Sequence, residues 1–280
     1  MPAYTSFAVI GAGSLGTQIV NELLKQKVSL KVLTRDGSKP AFAVFKENGA
    51  TVVEVNYSNE DKLKSALTGV QVVVSVVSQF VLEAQVDIAK VAKAAGVQLF
   101  VPAEYGVYVT EGFTYHKKVV QDTLKNLDLP YTLFYTGFFM ESFHRVADYD
   151  FAHGKMRVVG TGDVPQSTTS QFDIARFVAH ALATAEPADL HWAKIPIEGD
   201  RVTHHEIAAI VERKFGKPIE IEYVDLEETR KRYDLDPFAF FSVLIADGRT
   251  VSGPKADVEA AISKFFPDWN PKKLEEVLEI

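Results

Sequence analysis

The chain has 280 residues, 47% hydrophobic and 24% charged, an ordinary globular balance and a length that suits one large domain or two small ones. Thirty basic against 37 acidic residues give a net charge of −7, which argues against a broad nucleic-acid footprint but leaves room for a local basic pocket around one phosphorylated cofactor. With no cysteine, disulfides, thiolate nucleophiles and zinc–thiolate sites are excluded, in keeping with a reducing cytoplasm.

The opening residues, Met1 to Ser6, lack the basic and apolar regions of a signal peptide. From residue 5 to about 136, short β-branched runs alternate with helical patterns. The runs are Phe7 to Ile10, Val28 to Leu33, Thr51 to Val55, Val70 to Val77, Val97 to Val101 and Tyr131 to Tyr135. Amphipathic segments lie between them near 15–26, 39–48, 60–67, 81–95 and 115–127. This alternation predicts βαβ units and a parallel sheet covered on both faces, with Val72-Val73-Val74 in a buried central strand. Gly49, Gly69 and Gly96 each precede a strand, where a helix end favours a left-handed residue. The most apolar stretch, 70–82, is cut by Gln71, Ser75, Ser78 and Gln79, so no membrane span is expected.

Past residue 137 the rhythm changes, with Gly154, Gly160, Gly162 and Pro165 breaking the chain into short pieces. The pattern then predicts a helix over Phe172 to Thr184, a strand near 193–197, a helix over His204 to Phe215, a strand over Ile219 to Val224 and helices to the end. Thr203 with Glu206 reads as a capping box. The expected fold is α/β. A Rossmann doubly wound parallel sheet over 1–136 carries a smaller α/β substrate lobe over 137–280, and some later elements return to the first sheet.

Gly11-Ala12-Gly13-Ser14-Leu15-Gly16 follows a predicted strand and opens a helix. In a dinucleotide site the first glycine makes the tight turn, the second admits a pyrophosphate and the third lets helix and strand pack closely. The amides of Ser14, Leu15 and Gly16 then offer the positive helix end to phosphate. A tight βα loop without a ligand is the plainer alternative. The second strand ends Thr34-Arg35, nineteen residues after Gly16, where an NAD site usually has Asp or Glu. Arginine instead offers a fork for a 2′-phosphate, with Ser38 and Lys39 in the same loop, and so favours NADP(H). Asp36 competes, either as a ribose ligand or as the cap of the next helix.

These motifs, with Val101-Pro102-Ala103-Glu104-Tyr105-Gly106, Leu129-Pro130-Tyr131-Thr132, Phe172 to Arg176 and Ile197 to Asp200, resemble the NmrA-like / isoflavone reductase-like family over nearly the whole chain. Those atypical short-chain dehydrogenases include phenylcoumaran benzylic ether, pinoresinol–lariciresinol and isoflavone reductases. The resemblance implies an NADPH-dependent oxidoreductase with a small aromatic or phenolic substrate in a cleft against the smaller lobe. It also implies a monomer or homodimer and no nucleic-acid or membrane partner. Regulatory members bind dinucleotide without turnover, so an NADP(H) redox sensor is the second reading. In the reductases one lysine after the Pro-Ala-Glu-Tyr-Gly turn acts as catalytic base or acid, and the spacing from Leu129-Pro130 places it at Lys117. The resemblance also places Pro102, Glu104 and Lys117 against the cofactor, and Tyr105, Phe138 and Phe139 against the substrate. Read from the residues alone, Lys117 and Lys118 are two solvated positions of an amphipathic helix, and the two phenylalanines are as often core.

The chain departs from the ordinary short-chain pattern. Phe113 and Thr114 stand four residues before Lys117 and Lys118, so there is no Tyr-x-x-x-Lys to supply a phenolic donor. Thr136-Gly137 precedes the paired phenylalanines, where the reductases usually show asparagine. Ser75 and Ser78 follow strand four, as cofactor contacts or as backbone-satisfied strand serines. The seven histidines show no metal-binding spacing, and His204-His205 reads as a surface or capping pair. No Gly-x-Ser-x-Gly elbow is present. The cluster Pro237 to Phe241 reads as core, with a substrate mouth or a partner face as alternatives.

Overall fold

The computed structural model describes residues 3–38 and 40–279. Its first part alternates β1 (Ser6–Ile10), α1 (Ser14–Lys25), β2 (Ser29–Thr34), α2 (Ala41–Glu47), β3 (Thr51–Glu54), α3 (Glu60–Leu67), β4 (Val72–Ser75), α4 (Ala84–Ala94), β5 (Leu99–Val101), α5 (Tyr115–Asn126) and β6 (Thr132–Tyr135). There follow β7 (Phe138–Phe139), α6 (Phe143–Val146), β8 (Tyr149–Asp150), β9 (Lys155–Val159), β10 (Gln166–Thr169), α7 (Gln171–Thr184), α8 (Pro187–Leu190), β11 (Ala193–Pro196) and β12 (Asp200–Val202). The chain closes with α9 (His204–Phe215), β13 (Glu220–Val224), α10 (Leu226–Arg230), α11 (Pro237–Ala246), α12 (Lys255–Phe265) and α13 (Leu274–Val277).

Five parallel strands run in the order β3-β2-β1-β4-β5. A bridge from Phe100 to Tyr131, with the Phe100 N–H donating to Pro130 O at 2.9 Å, brings β6 alongside β5. Along β1 the side chains alternate: Phe7 and Val9 pack with α1, α2 and α7, whereas Ala8 and Ile10 pack with α3, α4 and α5. Both faces are covered, which is why the central strands β1 and β4 are almost wholly apolar, whereas the edge strand β3 exposes Thr51 and Glu54. After α2, α3 and α4, Gly49, Gly69 and Gly96 adopt φ of 95°, 79° and 83°, as a chain leaving a helix requires.

The fourth strand is shorter than its valine run. It ends at Ser75; the Val76 N–H still reaches Ile10 O, but the chain then crosses over Gly11, so Val77 has no strand to pair with. The segment expected as helix from 81 begins instead as a 3-10 turn over Gln79–Val81, and α4 starts at Ala84.

Two elements beyond residue 137 return to the first sheet. Helix α7 packs its buried face against α1, and β11 pairs in parallel with β6. The remaining strands form two small sheets, β12-β10-β7 and β13-β9-β8, around a separate cluster that includes Met140, Phe143, Tyr149, Ile207 and Leu274. Among the described residues no helix is long and apolar enough to cross a membrane.

His204 corrects the surface reading of the histidine pair. Thr203 and Glu206 form the capping box, but His204, the first residue of α9, is buried and its Nδ1 is hydrogen bonded to the Tyr149 hydroxyl. Position N1 turns inward here because α9 lays its first turn on the lobe core. His205 alone stays outside, between Asp163 and Tyr223. Burial pushes the His204 imidazole down to about 4. Unfolded His204 therefore binds a proton that the native ring refuses, and stability should fall by about 1.4 kcal/mol per pH unit from 6.5 down to about 4, then level off. Denaturant melts across that window check this. His204→Gln should flatten that slope, leaving the smaller part owed to His144 and His180, and a folded variant with the full slope rules His204 out as a source.

Candidate active site

The glycine turn is built by close approach. Gly11 leaves β1 at φ 98°, and a Cβ there would stand 2.6 Å from Val76 O. Gly16 lies where α1 crosses β1, and its Cβ would be 2.0 Å from Gly11 O. A Cβ on Gly13 would meet nothing within 4 Å, so the second glycine borders open space. The first amide of the helix to find a partner is Thr17 N–H, on Gly13 O at 2.8 Å. The amides of Ser14, Leu15 and Gly16 are left over, and no acidic residue occupies that turn. The result is a positive, uncluttered helix end facing the open side of Gly13. Because the atom opposing Gly16 is backbone, Gly16→Ala should cost about 3 kcal/mol, read as a lower Tm in calorimetry. An unchanged melt would show that the crossing tolerates a methyl group.

At the end of β2, Arg35 is exposed and makes no ion pair with a described residue. The Thr34 hydroxyl donates to Asp36 O at 3.0 Å and accepts from Asp36 N–H at 3.2 Å. Asp36 Oδ1 accepts from Ser38 N–H at 3.0 Å and from the Ser38 hydroxyl at 2.6 Å. Asp36 is thus folded into its own turn and does not cap α2, whose N-cap is Pro40 without a side-chain bond. Lys39 lies outside the described residues. At the end of β4, Ser75 is fully buried and its hydroxyl finds no partner among the described residues, so the backbone-satisfied alternative does not hold there. Ser78 is exposed and accepts a long bond, 3.4 Å, from Phe80 N–H.

The turn after β5 is tightly specified. Pro102 O accepts from Glu104 N–H at 2.8 Å, and Ala103 N–H donates to Gln85 Oε1 at 2.8 Å. Gly106 O accepts from the N–H groups of Thr136 and Gly137, which ties the turn to the end of β6. The Tyr105 ring stacks on Phe134 at 6.5 Å and 9°, and its buried hydroxyl finds no partner among the described residues, so burial raises its pKa far above the ordinary value. Tyr135, at the end of β6, also has an unpartnered hydroxyl. Burial first, and then the Glu104 carboxylate, oppose its ionisation.

Lys117 and Lys118 part company. The Lys118 side chain is 52% exposed and pairs with Asp122 on the helix surface. The Lys117 side chain is 12% exposed and turns back under the 102–106 turn, where Nζ donates to Glu104 O at 2.6 Å and lies 3.2 Å from Glu104 Oε1. Reading both lysines as solvated therefore fails for Lys117. Gln121, one turn further along α5, donates from Nε2 to Glu104 Oε2 at 3.0 Å. Sequence reasoning missed Gln121; its signal was the four-residue spacing that puts it on the same helical face as Lys117.

Phe138 and Phe139 diverge, as neighbours on a strand must. Phe139 packs toward the main sheet, while Phe138 meets Phe241 edge-on at 6.1 Å. Phe241 continues to Phe240 at 5.1 Å, and Phe240 to Phe113 at 5.5 Å, in an aromatic row from β7 through α11 to the loop before α5. Phe240 is fully buried, in line with the core reading of that cluster. Among the described residues no group of three His, Asp or Glu side chains is placed to hold a metal. A surface hollow of about 450 Å³ beside α1 and Phe172 shares none of these residues.

Comparison with known proteins gives a consistent picture. The model of the NmrA-like family matches residues 5–276. Asnovolin J 5′,6′-dehydrogenase nvfM of Aspergillus novofumigatus is 30% identical over 235 residues, which cover 78% of this chain and 71% of that one. Phenylcoumaran benzylic ether reductase PT1 of Pinus taeda is 26% identical over 256 residues, 84% of this chain and 82% of its own. A solved structure described as AtPrR2 with NADP+ and (+)pinoresinol shares the fold at a TM-score of 0.85, with 22% identity, 99% of this chain and 98% of that one covered.

Proposed function

The chain belongs to the NmrA-like family, as an NADPH-dependent oxidoreductase of the isoflavone reductase-like type, and from that premise we propose that it reduces a small aromatic or phenolic acceptor with Lys117 as the proton-handling residue. The acceptor is a benzylic ether, an enone or a ketone. Residues 1–136 hold the dinucleotide and the lobe beyond 137 holds the substrate. The setting is the cytoplasm, a reducing compartment that suits a chain with no cysteine.

The residues present suit NADP(H). Gly13 borders open space, the first turn of α1 offers amides with no acidic neighbour, and the buried Ser75 hydroxyl lacks a partner. In this reading Gly11, Gly13, Ser14, Leu15 and Gly16 hold the pyrophosphate. Arg35, with Thr34, Ser38 and Lys39, takes the 2′-phosphate. Ser75, Ser78, Pro102, Glu104 and Lys117 border the remainder. Bound NADPH supplies a hydride from its nicotinamide ring.

The rest of the chemistry falls to the chain. For a carbonyl acceptor, the Lys117 ammonium gives its proton to the oxygen as the carbon gains hydride, and Lys117 is reprotonated from water. For a phenolic ether, Lys117 takes the phenol proton, the electron pair released expels the ether oxygen, the benzylic carbon so exposed gains the hydride, and Lys117 returns the proton to the expelled oxygen. Tyr105, Phe138 and Phe139 border the substrate and exclude water. The single observation that carries this reading is the placement of Lys117 Nζ, nearly buried under the 102–106 turn while Lys118 faces solvent. The test is NADPH oxidation with a panel of phenolic ethers, lignans, isoflavones, enones and ketones. Turnover with none of them, together with a redox-dependent protein partner in a pull-down, would replace the enzyme with a sensor.

A further inference from the structure

Glu104 is the more deeply buried member of the Lys117 pair, at 1% side-chain exposure against 12%. A carboxylate taken out of water is costly unless it is both paired and hydrogen bonded. Here Oε2 accepts from Gln121, while Oε1 stands 3.2 Å from Lys117 Nζ as an ion pair and has no hydrogen bond among the described residues. The two donors are four residues apart on α5 and converge on one carboxylate from one helical face. Lys117 Nζ spends one N–H on the Glu104 carbonyl, so the carbonyl by hydrogen bond and the carboxylate by charge hold the same ammonium. A Cβ on Gly106 would approach Nζ to 3.4 Å; with glycine there, the ammonium keeps a side uncovered by any side chain of that turn.

We propose that Glu104, braced by Gln121, is a positioning residue that fixes the Lys117 ammonium beneath the 102–106 turn and leaves N–H groups of the ammonium for a substrate oxygen. This gives Glu104 a role through Lys117 rather than through the cofactor, and it rests on the proton-handling reading of Lys117. It also accounts for Gln121, whose amide nitrogen among the described residues bonds only the second carboxylate oxygen.

The decisive readout needs no turnover. Trace acetylation of the full chain at mildly alkaline pH, quantified residue by residue by mass spectrometry, reports how freely each lysine presents an uncharged amine. In the wild type Lys117 should label more slowly than Lys118. Glu104→Gln keeps the shape but removes the charge that pairs with Nζ, so the side chain should leave the turn for solvent and Lys117 labelling should rise several-fold toward that of exposed Lys118. Lys118 labelling should stay constant. Turnover of the acceptor reduced in the panel should fall in kcat, by more than any change in NADPH affinity read by fluorescence. Gln121→Leu, which leaves the charges in place, should raise Lys117 labelling less, and serves if Glu104→Gln does not fold. Unchanged Lys117 labelling in a folded variant of either kind overturns the proposal. If labelling rises as expected but Lys117→Ala retains full turnover, the positioning contact stands and the catalytic reading of Lys117 is what fails.

Discussion

Replacing Lys117 by alanine is expected to lower kcat by ~10²–10⁴-fold, the usual contribution of a positioned acid or base. Dissociation of NADPH should hardly change, because the pyrophosphate and 2′-phosphate contacts assigned to α1 and Arg35 lie on other elements. Lys118→Ala is the internal control. That side chain is exposed and paired only with Asp122, so its loss should leave turnover close to wild type. The alanine at 117 also strips Glu104 of its cation, and an unpaired buried carboxylate costs about 3–5 kcal/mol. The Tm should therefore drop, and kcat must be measured at a temperature where the variant remains folded. Near-full turnover by such a variant would end the catalytic reading of Lys117.

Arg35→Asp should weaken NADPH by ~10²-fold or more while leaving NADH almost unaffected. A hydrogen bond to a charged group contributes about 1.5–3 kcal/mol, and aspartate adds repulsion toward a 2′-phosphate that NADH lacks. The fold should tolerate the change, because Arg35 is exposed and makes no ion pair with a described residue. Fluorescence titration with both dinucleotides measures the two affinities on one sample. Comparable binding of NADPH and NADH by the wild type would remove Arg35 from its role.

Much of the fold was legible because its signals are local. Val72-Val73-Val74 announces a strand buried on both faces, and Gly49, Gly69 and Gly96 announce helix ends, each from a few adjacent residues. The glycine turn was legible for the same reason: strand, turn and helix are contiguous, so the close approach of Gly16 to Gly11 is a matter of spacing. The last two residues of the Val70 to Val77 run were misread because propensity does not know where the neighbouring strand stops.

The candidate site was legible in its residue types and not in its pairings. Lys117 and Lys118 are indistinguishable on paper, two lysines in sequence at the start of an amphipathic helix. Only the rotation of α5 against the 102–106 turn sends one to Glu104 and the other to Asp122. His204 and His205 divide in the same way, one pressed onto Tyr149 and the other held at the surface by Asp163.

By itself the sequence determined the alternation of strand and helix, the parallel sheet, the glycine turn and the arginine at the end of the second strand. Periodicity, glycine conformation and side-chain charge act over a few residues and need no knowledge of the rest of the chain. The tertiary structure alone decided which later elements, α7 and β11, rejoin the first sheet, that Glu104 is buried between Lys117 and Gln121, and that His204 faces inward. Burial and pairing depend on which distant surfaces meet when the chain closes, and no local pattern encodes that.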